Sequence, residues 1–470
     1  MTKRERKMKI IKTAAILIAC LLVFSACSGG ETEVVPDFEN NVEELDLNGF
    51  EYTFAAMTHG GLYPLNPTSG ESSRGDKLLA RYKETEDTYN VKIRLMNECD
   101  LSKFMTYYAA DIKYADMMFN MVNSLFGGRY IQNGYFIPFS DMQLDLSSGL
   151  YGTPECLEAG YFNGGYYSVV AYYWGFPSAD TMPAMWYNPR VISEYQQQDP
   201  HELDEQGRWT WDTLESMCEA IHDTSDPDSA MHTYALAYTS EPYLEFAALY
   251  SNSARFISKD ENGRLKVALD SLNAREAMTF LSSLRERDLI CDGGDRQNIT
   301  PFVENRRAFF VEYTHLGLSD EGANNLANQM TDAYEWILFP HGPSYVEGSG
   351  GTSFSYWSRY FYAPINSDVG VHSVLLPFLF RPLPGETEDT WQDEFERSTF
   401  FSAASFESFK QLRDGAFCDY ISFLGSGFTN TLQPALLRIT RGTSSVTETF
   451  ESIVEKLQSN LDSFYNNYLD

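Results

Sequence analysis

The stretch YYWGFPSADTMPAMWYNPR, Tyr172 to Arg190, limits the possible folds more than any other part of the chain. It holds two Trp, three Tyr and three Pro in nineteen residues, with one acid, Asp180, near its middle. Proline lacks the amide donor and fixes φ, so the stretch is neither a helix interior nor a clean central strand. Its tail, Ala184 to Tyr187, reads as a short buried strand, and Asn188-Pro189 as the turn into a helix. An extended aromatic ribbon one-third of the way along suits a crossing between two lobes. An aromatic loop packed on a single core is the alternative.

The first twenty-six residues read as an address. Six bases between Lys3 and Lys12 precede eleven apolar residues, Ala14 to Phe24, well short of the roughly twenty that span a bilayer. Phe24-Ser25-Ala26-Cys27 resembles a bacterial lipobox, in which the Cys carries the lipid and becomes the mature N-terminus. Cys27 is therefore the expected lipid anchor, and residues 27–47 an acidic tether at the outer face of the cell membrane. A cleaved, soluble secreted protein is the alternative. Without residues 1–26 the net charge moves from −31 to −36. That argues against nucleic acid or an anionic membrane surface as partner. The remaining cysteines, Cys99, Cys156, Cys218, Cys291 and Cys418, form neither a disulfide framework nor a zinc pattern and read as free thiols.

Phe50 to Met57 reads as a first strand, followed by a Gly/Pro/Ser-rich loop and an amphipathic helix carrying Leu78, Leu79, Tyr82 and Tyr89. Val91, Ile93 and Leu95 alternate with bases as a half-buried strand does, and a helix near Leu101–Ala110 leads to a buried strand at Asp116–Phe119. Strand–helix–strand order implies parallel pairing, with ligands beyond the carboxyl ends, at the loops from Thr58 and Asn120. After the ribbon a second series begins with a helix capped by Thr210 and a strand near Tyr234–Tyr238 that feeds the loop Thr239–Tyr243. Asn262-Gly263 marks a hairpin between 255–257 and 265–267, and Asn273 with Glu276 reads as a helix cap. Strands follow at Ala308–Val311 and Trp336–Phe339. A second aromatic ribbon, Phe354 to Ala363, is the natural return crossing, and Ser445-x-x-Glu448 caps the last helix.

No metalloprotease, nucleophile-elbow, P-loop or dinucleotide-binding motif is present, and the acidic run Asp223–Asp228 lacks the glycine and glutamate of a calcium loop. The expectation is a binding protein with no catalytic residue, metal or cofactor. The aromatics supply a positive rationale. A pyranose offers an apolar face to Trp or Tyr and a rim of hydroxyls to Asn, Asp, Glu and Arg. Tyr243 beside Glu241, Trp357 with Arg359, Asn120 with Asn123, and Tyr313 with Glu312 provide both kinds of contact at predicted strand ends.

Several segments together resemble the extracellular solute-binding lipoproteins of ABC transporters, family 1, the group of maltose-binding protein. They are DMMFNMVNSLFGG (116–128), the crossing Tyr166–Asn188, WTWDTLESMCEAI, NRRAFF (305–310) and the late stretch Arg441 to Glu448. The resemblance implies an α/β, type II periplasmic-binding-protein fold: two discontinuous lobes joined by crossover strands, with a ligand cleft between them. The expected lobes are 45–182 plus 366–430 and 183–360 plus 431–470. It implies capture of a carbohydrate by hinge closure and delivery to membrane permeases, by a monomer. Carried over residue by residue, Glu241 and Tyr243 match an E-P-Y ligand contact, and Asn120 and Asn123 stand where the maltose branch has an aromatic and an acid. Asp180 and Thr181 fall at its crossing contact, and Glu312, Tyr313 and His315 at a loop bearing a stacking Trp. Near Phe428 and Thr429 its late stacking Trp is absent, and His59 on a lengthened first loop is available to reach the cleft. A receptor for a peptide or other polar solute, and less readily a secreted carbohydrate-active enzyme, are the competing functions.

Overall fold

The computed structural model of the chain describes residues 45–56, 65–174, 183–295, 298–318, 325–349, 351–353 and 358–469. The first series runs β1 (Phe50–Ala56), α1 (Ser73–Tyr89), β2 (Val91–Met96), α2 (Leu101–Ala109), β3 (Met117–Met121), α3 (Val122–Gly127) and β4 (Phe136–Ile137). The second runs β5 (Pro183–Tyr187), α4 (Trp211–Ala220), β6 (Leu236–Tyr238), α5 (Tyr243–Ser251), α6 (Leu272–Glu286), β7 (Ile290–Asp292), β8 (Phe309–Tyr313) and β9 (Glu335–Ile337). β10 (Arg359–Pro364), α7 (Val369–Leu379), α8 (Ala403–Asp414), α9 (Gln433–Thr440) and α10 (Val446–Phe464) complete it.

Each local start has a chemical cause. Ser72 accepts from the Gly75 amide and Asn90 closes α1 in the left-handed region, where a short polar side chain is tolerated. Asn188 accepts from Arg190 and Val191, and Pro189 opens the helix where its missing donor costs nothing. Ser445 accepts from Glu448 at the head of α10.

The two sheets share one plan. The first has the order β2-β1-β3-β10-β4, parallel except for β10. In the second, β8, β5 and β9 pair directly, and β6 with β7. The Phe309 amide donates to Ala235 O at 2.8 Å and Tyr234 bridges Arg307 in parallel, which joins these pieces into β7-β6-β8-β5-β9. In both, the fourth strand is antiparallel and comes from outside the run that supplies the rest of its sheet: β10 follows the other strands of the first sheet, and β5 precedes those of the second. One face of the first sheet buries Tyr52, Phe54 and Phe119 against Leu78, Tyr82, Leu375 and Leu379 of α1 and α7. The other face is continuous with a core that also contains the second sheet. Asp46–Asp470 is one compact unit, tied across by Lys259 paired with Glu158 and by Tyr420 Oη donating to that carboxylate at 2.8 Å. No helix among the described residues is long and apolar enough to cross a membrane.

Several local expectations are corrected. The cap of α6 is Ser271, which accepts from Ala274. Asn273 and Glu276 are instead engaged by Asn252, whose Nδ2 reaches Glu276 Oε2 at 2.9 Å. Thr210 stands at the α4 cap without a side-chain bond to an amide there. The hairpin pairs Ile257–Lys259 with Leu265–Val267, two residues later than expected on its first arm, because Asp260 gathers the Asn262 and Arg264 amides. Leu47 and Gly49 donate to Tyr89 O and Asn90 O, which ties the chain to the first sheet two residues after the expected lobe start at 45. Trp336 N donates to Ser405 Oγ at 2.8 Å and its ring meets Phe409, which places α8 on the second sheet although 366–430 were expected with the first. β10 lies in the first sheet from Arg359 on, within the ribbon 354–363 expected as the return crossing, so the first-sheet segment begins ahead of 366.

Candidate functional site

The carboxyl edges of the two sheets carry the sequence-derived residues in two groups. On the second sheet, β6 ends at Tyr238 and turns through Thr239, whose Oγ1 donates to Glu241 O at 3.2 Å. Glu241 is half-buried, and its Oε2 accepts from Gln433 Nε2 at 2.6 Å. Tyr243, expected in the loop, is the first residue of α5 and is 1 % exposed. Its ring lies 5.2 Å from Tyr313 and 6.3 Å from Phe246. Glu312 and Tyr313 are the last two residues of β8 rather than loop residues, and Glu312 is fully buried. His315 opens the short helix His315–Leu318, and its side chain lies outside the described residues. Within that helix Gly317 faces Trp186 so closely that a Cβ there would lie 2.2 Å from the indole.

On the first sheet, Asn120 is 3 % exposed near the end of β3. Its Oδ1 accepts from the Met121 amide at 2.7 Å, and its Nδ2 reaches Cys99 O at 3.3 Å. The amide therefore ties β3 to the loop ahead of α2. Burial pushes the Cys99 thiol up to about 12, which keeps it protonated. Asn123 is half-buried in the first turn of α3, and Ser124 Oγ donates to its Oδ1 at 3.4 Å. Arg359, also half-buried, opens β10 opposite Met121, and Tyr360 lies opposite Asn120. Asn120, Asn123 and Arg359 are thus gathered at one sheet edge. Glu241, Tyr243 and Tyr313 are gathered at the corresponding edge of the other.

His59, Asp180, Thr181, Trp357 and Cys27 lie outside the described residues. Phe428, at the position of the absent stacking Trp, is fully buried 6.0 Å from Phe246, while Thr429 is exposed. Both belong to a π-helical turn, Phe428–Leu432, that feeds α9. Sequence reading missed Gln433, which holds Glu241 from 192 positions away; Gln433-Pro434 signals only a helix start. No group of three or more metal-ligating side chains is found among the described residues. The Asp223–Asp228 run is an exposed turn closed on its own amides. Chemically, the edges offer hydrogen-bonding carboxylate, amide and guanidinium groups at half-buried positions, backed by tyrosine rings.

No protein-family model matches the sequence, and no curated protein matches it significantly. Solved structures do share its fold. The ABC substrate-binding protein Lmo0181 of Listeria monocytogenes, in complex with cycloalternan, superposes with a TM-score of 0.57 at 13 % identity, over 88 % of this chain and 99 % of that one. The GacH receptor of Streptomyces glaucescens, solved unliganded and with acarbose, gives 0.56 at 14 % identity, over 89 % and 99 %. A solute-binding protein of an ABC transporter from Thermotoga lettingae, bound with α-D-tagatose, gives 0.55 at 14 % identity, over 88 % and 100 %. With its paired sheets of one strand order, the chain has the type II periplasmic-binding-protein fold of the ABC substrate-binding proteins.

Proposed function

We propose that this protein is the carbohydrate-capturing receptor of an ABC importer, held at the outer face of the cell membrane by lipid on Cys27. It binds without turnover, closes its two lobes over the sugar and presents it to membrane permeases. The observation that carries the reading is the pair of matching sheet edges. Each presents polar side chains suited to a sugar's hydroxyl rim, in a fold whose similar structures hold cycloalternan, acarbose or tagatose. Glu241, Asn123 and Arg359 are the described side chains assigned to the hydroxyl rim, and Trp357, Asp180, Thr181 and His59 complete the assignment from sequence. Tyr243 and Tyr313 back the second edge; Asn120 shapes the first.

Calorimetry against mono- and oligosaccharides tests the reading. Saturable heat with unchanged sugar, weakened at least tenfold by Arg359→Ala, is the expected result. Response only to peptides would replace the carbohydrate with a peptide ligand, and release of hydrolysis products would make the protein an enzyme.

A further inference from the structure

Large apolar side chains are exposed singly on most proteins, and a cluster of them marks a contact surface. Among the described residues, five of the ten large apolar side chains left exposed lie at the amino edge of the first sheet: Tyr107, Tyr108, Ile112, Ile365 and Val369. Ile112 is 53 % exposed, and Tyr107 and Ile365 43 % each. Contacts join Tyr107, Tyr108, Ile112 and Ile365 into one patch, and Val369 opens α7 four residues after Ile365. The Ile112 amide donates to Tyr107 O, and Asn366 Nδ2 to Ile112 O at 3.3 Å. The Ile365 amide donates to Tyr135 O, and the Tyr135 ring lies 5.0 Å from Tyr108. All belong to the end of α2 or to the turn from β10 into α7, which places them on the opposite side of the sheet from Asn120, Asn123 and Arg359.

The chain enters the fold at this same edge. Leu47 is bonded to Tyr89 O, and Lys113, next to Ile112, lies over the ring of Phe50 at 4.7 Å. Residues 28–45 span at most ~60 Å when fully extended. A lipid on Cys27 therefore confines the patch to a thin layer above the bilayer. Confinement of this kind raises effective concentration to the order of millimolar, so a weak surface suffices. Tyrosines with an apolar body and a polar tip, flanked by isoleucines, match the headgroup boundary of a membrane.

We propose that this patch rests on the lipid bilayer and holds the unliganded receptor with the ligand-bearing edge of its first sheet turned outward. The proposal rests on the lipid-anchor reading, and its test is independent of Cys27 acylation. The chain from residue 27 on, with Cys27→Ser and an N-terminal hexahistidine, is held on phosphatidylcholine vesicles through a nickel-chelating lipid and footprinted with hydroxyl radicals. Labelling of Tyr107, Tyr108, Ile112 and Ile365 should fall several-fold relative to the same chain in solution, while Leu272, Val346 and Phe401 stay unchanged. An Ile112→Asp/Ile365→Asp variant should regain labelling at both tyrosines. Anionic phosphatidylglycerol should protect the patch less, given the net charge of −36 of the chain from residue 27 on. Unchanged labelling, or an equal fall at the three control residues, overturns the proposal. So does protection without vesicles that grows with protein concentration, which would assign the patch to a second copy. Palmitate incorporation at native Cys27 reports on the anchor separately.

Discussion

Buried titratable groups set this protein's response to pH. Ser367 Oγ donates to Pro364 O, so His372 Nε2–H donates to Ser367 Oγ and its Nδ1 accepts from Tyr52. Burial holds this imidazole neutral and its pKa down at about 4. A His depressed in the folded state gives stability that is present above the unfolded pKa and is lost as pH falls through 6.5 towards 4, about 3 kcal/mol in all. Glu245 and Asp419 act oppositely: burial raises each to about 7, so folding loses stability as pH rises towards and through 7. Glu245→Gln should therefore raise Tm relative to the parent at pH 8 and leave it nearly unchanged at pH 4, as measured by calorimetry. Gly317 answers to sterics instead. Gly317→Ala drives a methyl into Trp186, which is held edge-on by Trp336 at 4.5 Å, and should cost about 1–3 kcal/mol in urea unfolding. None of these buried roles was legible in the sequence, because each depends on partners remote in the chain.

At the scale of elements, the sequence was readable wherever the determinant is local. Alternation gave β2, the short apolar run gave β5, and Asn188-Pro189 and Ser445 gave their helix starts. Ser445→Ala should lower stability by about 1 kcal/mol, and Ser445→Asp should restore it, by denaturant titration. The cap assigned to Asn273 failed for a physical reason: two neighbouring residues could cap α6, and Asn252 claims one of them. Tyr243 was expected as a ligand contact, and its burial under Tyr313 and Phe246 makes it part of the wall that shapes the edge. The Glu241–Gln433 bond and the π-helical turn before it have no local signature, since both arise where α9 packs against the second sheet's loops. Gln433→Ala should weaken ligand binding severalfold through a loosened Glu241, with Tm lowered by no more than a few degrees.

For the whole molecule, the crossing ribbons pointed to two lobes, but no run of residues announces which strand closes which sheet. The ties between the lobes were equally hidden. Lys259, Glu158 and Tyr420 meet from three separate segments, with Lys259 also 4.9 Å from the Tyr420 ring. Among the described residues, Lys259→Ala leaves Glu158 with the Tyr420 hydroxyl as its hydrogen-bond partner. It should shift the population towards open forms, read as a larger radius of gyration by X-ray scattering without sugar. Because β10 must insert between β3 and β4, the amino-terminal half cannot complete its sheet until some two hundred and twenty residues after β4 have been made. Long-range pairing of this kind folds slowly. A nascent polypeptide of this design stays threadable during synthesis, and a secretion channel can take it up before either half locks into shape.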